Sequence, residues 1–91
     1  MAVSVLRRDP DVVAAQVDGE PRLLHLRSWT YIAFDAVGER IWTLLAEPLD
    51  QEGLIQALLA EFEADEAQLR SDVETFLGKL YLQGFLSRGL G

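Results

Sequence analysis

The 91-residue chain contains no cysteine. It therefore has no disulfide framework, no thiolate metal ligand and no cysteine nucleophile, which fits a reducing compartment and makes the cytosol its expected location. Bases are scarce: eight Lys and Arg stand against 15 Asp and Glu, a formal net charge of -7. Such a field repels phosphate backbones and anionic headgroups, so neither nucleic acid nor a membrane surface is an expected partner. Histidine occurs once, at position 25. One imidazole between Leu24 and Leu26 reads as a surface residue, and neither a metal cage nor a triad with Ser4, Ser28, Ser71 or Ser87 can be assembled around it. Long apolar runs are missing too. Uncharged stretches such as residues 28–34 and 53–60 fall far short of the roughly 20 residues a membrane helix needs, and Arg7, Arg8 and Asp9 follow residues 1–6 too soon for a secretion signal. Acid pairs such as Glu61 with Asp65 and Glu63 with Glu66 lie around one helix–helix turn, where carboxylates serve as caps and solvated surface. The expectation is thus no catalytic residue, no metal and no cofactor.

What is present is an apolar share of 49% with an ordinary 25% of charged residues, enough for one globular domain over residues 1–91. The chain is organised around residues 30–42. Thr30, Ile32 and Phe34 alternate with Tyr31 and Ala33 as in a strand; then Val37, Ile41, Leu44 and Leu45 share one helical face. Asp35 at the junction is placed to cap that helix. Upstream, Val13, Ala15 and Val17 alternate with Ala14, Gln16 and Asp18. Asp18-Gly19 supplies a hairpin turn, and Leu24 and Leu26 continue the alternation with Leu23, His25 and Arg27 on the opposite face. Downstream, Pro48 stops the first helix and Asp50 caps a second bearing Leu54, Ile55, Leu58, Leu59 and Phe62. Asp65, with Gln68 in the manner of a capping box, opens a third bearing Leu69, Val73, Phe76, Leu77 and Leu80. Gly84 ends it, and Phe85 and Leu86 fold back on the core. Trp42 is expected to be buried against the sheet. The fold class is α+β: a three-stranded antiparallel meander followed by three helices, resembling a winged helix-turn-helix. Its core spans about residues 12–86, with residues 1–10 and 87–91 expected to be mobile.

Winged-helix analogy alone suggests DNA binding. The charges argue against it: the third helix carries Asp65, Glu66, Asp72 and Glu74 beside Arg70 and Lys79, and the second has no base. A more specific resemblance lies in Leu23-Leu24, in Tyr31-x-x-Phe34-Asp35-x-x-Gly38-x-x-Ile41-Trp42, and in Asp72-Val73-x-x-Phe76-Leu77-x-x-Leu80-x-x-x-Gly84-Phe85-Leu86. This pattern resembles the PqqD-like family, the recognition elements of ribosomally made and modified peptides. The resemblance implies a non-catalytic winged-helix peptide chaperone that holds a precursor's leader for modifying enzymes. Members devoted to pyrroloquinoline quinone usually show Pro-Glu-Gly before the first helix and Cys-Asp-Gly after it. Here Ser28-Trp29-Thr30-Tyr31 and Leu45-Ala46-Glu47-Pro48 look closer to the stand-alone proteins of lasso-peptide pathways, which partner a separate cysteine-protease-like leader peptidase.

The physical reading converges on the same surface. A sheet whose last strand lies at an edge presents unpaired amides and carbonyls, to which an extended peptide adds as a further strand. Alternate side chains of that peptide enter a cleft walled by the third helix, where Asp72 and Phe76 lie one turn apart. The candidate peptide-binding residues are Trp29, Thr30, Tyr31, Ile32, Ala33, Phe34, Asp72 and Phe76. Core packing is the competing role for Phe76, and simple solvation for Asp72. The expected partners are a precursor leader peptide and a leader peptidase, with a homodimer through the open edge as a further possibility. The alternative functions are a chaperone for another modified-peptide or pyrroloquinoline quinone pathway, a winged-helix DNA-binding regulator, or an assembly subunit that ignores peptides.

Overall fold

The computed structural model describes residues 4–90. Its elements are β1 (Ser4–Arg8), β2 (Val12–Val17), β3 (Glu20–His25), β4 (Tyr31–Ala33), α1 (Ala36–Leu44), α2 (Gln51–Glu61), α3 (Glu66–Leu82) and β5 (Leu86–Leu90). Strands β2, β3 and β4 form an antiparallel sheet in that order, and β1 pairs with β5 in a separate two-stranded ribbon. The α+β class with three antiparallel strands and three helices is as expected.

Local chemistry explains most boundaries. Asp18 and Gly19 both have positive φ, 52° and 80°, as a two-residue type I′ turn requires, and they join Val17 to its partner Glu20. Each helix opens on an aspartate: Asp35, Asp50 and Asp65 accept from the amides of Gly38, Gly53 and Gln68 at 2.8, 3.1 and 3.0 Å. Each cap is worth about 1 kcal/mol. The capping box does not close, because the Gln68 side chain donates to Asp72 Oδ1 (2.9 Å) instead. At the far end of α3, Gly84 (φ 78°) follows the C-cap residue Gln83. The amides of Gly84 and Phe85 return to the carbonyls of Tyr81 and Leu80, a Schellman motif that turns Phe85 into the core.

Helix α1 packs on α2 and α2 on α3, and their buried stripes, with Val12, Leu23, Ile32, Phe85 and Leu86, make one core. Trp42 is 8% exposed within it, and the Arg8 guanidinium lies 5.1 Å over its ring. At the surface Arg40 forms a two-pronged pair with Glu61 (2.7 and 2.7 Å), tying α1 to the end of α2, and Arg70 bridges Glu52 and Glu66.

Three expectations are corrected. The core reaches beyond residues 12–86: residues 4–8 and 86–90 pair as strands, and Leu6, 2% exposed, joins the core. Leu6 also exchanges backbone hydrogen bonds with Leu49 ahead of α2. The part of the mobility expectation that concerns residues 1–3 and 91 lies outside the described residues. Second, the buried face of β3 is the one that carries Leu23 and His25, not the one that continues through Leu24 and Leu26. Leu23 lies opposite Ile32 and both are buried, whereas Leu26 is 43% exposed and Val13 is exposed as well. Residues 12–15 and 23–24 are apolar at consecutive positions, so alternation alone cannot choose the face. Third, His25 is no surface residue. It is 4% exposed, edge-on to Phe85 at 5.5 Å and 3.7 Å from Asp9 Oδ1, and its Nδ1 accepts from the Arg27 amide (3.2 Å).

Candidate functional site

Among the described residues, strand β4 has β3 on one side and no strand on the other. Which of its backbone groups are free follows from the ladder. The His25 amide donates to the Thr30 carbonyl (2.9 Å), and the register then runs Leu24↔Tyr31, Leu23↔Ile32, Arg22↔Ala33. Hydrogen-bonded and non-bonded pairs alternate in an antiparallel ladder. Leu23↔Ile32 is therefore bonded, and the amides and carbonyls of Tyr31 and Ala33 point outward along the open edge. Pro21 occupies the next position on β3 that would have to donate, and it has no N–H, so the pairing stops at Ala33.

Beside this edge a cleft of about 540 Å³ opens between the end of β4, α1 and α3. Ala33 and Phe34 form its β4 side, Val37, Gly38 and Ile41 its floor on α1, and Asp72, Thr75, Phe76 and Lys79 its α3 wall, with Asp35 at the rim. The four α3 residues fall at i, i+3, i+4 and i+7, one stripe along the helix. The floor is tight. A Cβ built on Gly38 would lie 3.0 Å from Phe34 Cβ and 3.1 Å from the Phe76 ring, so glycine here lets α1 approach Phe76 closely enough to set the depth of the cleft.

The structure brings together four of the eight candidates, Ala33, Phe34, Asp72 and Phe76. Phe76 is partly buried against the core and also lines the cleft, so core packing does not take it out of reach of a ligand there. Ile32 points into the core, Thr30 is half-buried beside the strand, and Tyr31 is 55% exposed. Trp29 stands outside the cleft, 69% exposed and with φ of 61°, a left-handed backbone that a bulky residue rarely adopts. Sequence reading missed Asp35, Val37, Gly38, Ile41, Thr75 and Lys79 as cleft residues. The signal for Thr75 and Lys79 was available, since they extend the Asp72–Phe76 stripe by helical spacing.

The resolved electrostatic shifts lie away from the cleft. Hydrogen bonds from Arg70, then Gln56, hold the Glu52 carboxyl down to about 2, and Arg40 lowers Glu61 in the same way. Among the described residues no three His, Asp or Glu side chains group as a metal site, and no helix is long and apolar enough to cross a membrane.

These features define a small α+β domain with an open sheet edge running beside an apolar cleft. The chain belongs to the PqqD family: the family described as Coenzyme PQQ synthesis protein D (PqqD) matches residues 22–86. Among solved structures, TbiB1 in complex with the TbiA(beta) leader peptide is 38% identical, with a TM-score of 0.74 over 89% of this chain and 94% of that one. A lasso peptide synthetase B1 complexed with the leader peptide shares the fold at 23% identity, with a TM-score of 0.69 over 90% of this chain and 96% of that one. No curated protein matches the chain.

Proposed function

We propose that this chain is a non-catalytic recognition module of winged helix-turn-helix topology, which binds the leader of a ribosomally made precursor peptide. The leader adds as a strand to β4, its alternate side chains enter the cleft around Phe76, and the module presents it to a separate cysteine-protease-like leader peptidase of a lasso-peptide pathway in the cytosol. The observation that carries the reading is the adjacency of two elements: the outward backbone groups of Tyr31 and Ala33, deduced from the register, and a cleft that reaches Ala33 and is floored by apolar side chains. The likeness to TbiB1 with its leader peptide bound supports it. The same open edge would serve a second copy of the chain, so leader and homodimer compete for one strand.

The test is to titrate the TbiA(beta) leader peptide into isotopically labelled protein and follow the amide resonances. Shifts at residues 30–34 and along the Asp72–Lys79 stripe are expected. Changes confined to α2, with residues 30–34 silent, would show that a different surface binds. Incubated with the purified protein alone, the full precursor is expected to keep its mass.

A further inference from the structure

We infer that Lys79 is a specificity residue of the cleft, whose ammonium selects a leader with Asp or Glu two positions from the apolar side chain seated on Phe76. The inference rests on the leader-binding reading and deepens it. Of the eight bases, Arg22, Arg27, Arg40 and Arg70 are paired with carboxylates. Among the described residues Lys79 enters none of these pairs, and it is the one base among those lining the cleft. Two acids, Asp72 and Asp35, line the same cleft; they accept from Gln68 Nε2 (2.9 Å) and the Gly38 amide (2.8 Å), and neither forms an ion pair with Lys79 among the described residues. Within a chain of net charge -7, an anionic side chain arriving beside Asp35 and Asp72 has Lys79 as its one cationic partner among the described residues of the cleft. A position in the last turn of α3 suits a lysine for the helix dipole alone, but that role does not require it to line the cleft.

The spacing permits the contact. Lys79 lies three residues beyond Phe76, a rise of about 4.5 Å at 1.5 Å per residue, while side chains on one face of an added strand repeat every ~6.7 Å. The lysine's flexible four-carbon stem spans the difference, and its ammonium bonds a carboxylate without demanding a fixed geometry.

The experiment is a positional scan by fluorescence anisotropy. Each residue of the TbiA(beta) leader is replaced singly by Glu and by Lys, and the set is measured against wild type, Lys79→Glu and Glu74→Lys. With wild type, one position is expected to bind at least tenfold tighter as Glu than as Lys, and with Lys79→Glu the order at that position reverses. Glu74→Lys, on the exposed side of α3, changes the net charge equally in magnitude and should shift all positions together without reversing any. A scan in which Lys79→Glu reverses no position, or in which Glu74→Lys reverses the same one, overturns the assignment. Failure of every peptide to bind the wild type would overturn the leader-binding reading itself, a result distinct from binding that is indifferent to Lys79.

Discussion

Replacing β4 residues one at a time by proline separates the open edge from the paired one. Ala33→Pro removes an amide that points outward, so the fold loses no ladder bond and the bound leader loses one. A net hydrogen bond is worth about 0.5–1.5 kcal/mol, which at about 1.4 kcal/mol per tenfold is a roughly two- to twelvefold weaker Kd. Tyr31→Pro should behave alike once the side chain is accounted for by a Tyr31→Ala control. Ile32→Pro is the opposite case. It removes the donor to Leu23 and most of a side chain that is 3% exposed, and loss of such a side chain alone costs about 2–5 kcal/mol, a large part of the 5–15 kcal/mol typical of a whole domain. Binding is read by anisotropy with the TbiA(beta) leader and stability by urea denaturation. If Ala33→Pro unfolds the protein while Ile32→Pro melts like wild type, it is the amides of Tyr31 and Ala33 that pair with β3, and the ladder has the opposite phase. If Tyr31→Pro binds as well as Tyr31→Ala, and Ala33→Pro as well as wild type, the leader does not use this edge.

Trp42→Ala should destabilise the protein by about 3–5 kcal/mol, because the indole fills the core and carries Arg8 on its face; an unchanged denaturation midpoint would refute this. Asp72→Ala should weaken leader binding by about 1–3 kcal/mol through the loss of a charged acceptor, with Glu74→Ala as the silent control and titration calorimetry as the readout. Gly38→Ala should weaken leader binding, since the new Cβ, 3.0 Å from Phe34 Cβ and 3.1 Å from the Phe76 ring, displaces the walls of the cleft; tighter binding by anisotropy would show that Phe76 has room to yield elsewhere. Glu52, lowered from 4.5 to about 2 by Arg70 and Gln56, contributes stability that is present above pH 4.5 and lost as the pH falls towards 2. Arg70→Met should therefore flatten that part of the urea-midpoint profile, by a modest amount because the pair is exposed.

What was legible in the sequence is what short-range chemistry decides. The Asp18-Gly19 turn, the three aspartate caps and the Gly84 reversal each rest on residues within a few positions of one another, and all are found where their residue types placed them. The misreadings are long-range. Leu6 belongs to the core through β5 and Leu49, partners that no local period reveals. His25 is buried because Phe85 and Asp9 reach it from distant segments. The sheet face was ambiguous because Leu23-Leu24 and residues 12–15 offer apolar side chains to both sides. Of the candidate site, the α3 stripe was readable from Asp72 and Phe76, whereas the depth of the cleft depends on Gly38 meeting Phe76 across two helices, which spacing cannot show.

The brevity of β4 bears on how such a site discriminates. Tyr31 and Ala33 between them offer four outward backbone groups, worth about 2–6 kcal/mol together at the usual net value per hydrogen bond. Association costs an estimated 4–15 kcal/mol or more, so over most of these ranges the edge by itself falls short of retaining a peptide. Each large apolar side chain buried in the cleft adds about 1.5–3 kcal/mol, so two such side chains bring the total into the range where binding becomes net favourable. Neither half suffices alone. An arbitrary extended segment can pair with β4 but finds nothing to hold its side chains, and an apolar residue with the wrong spacing reaches the cleft only by breaking the ladder. If a peptide adds to β4 as proposed, its recognition requires apolar side chains at a two-residue period within an unstructured segment.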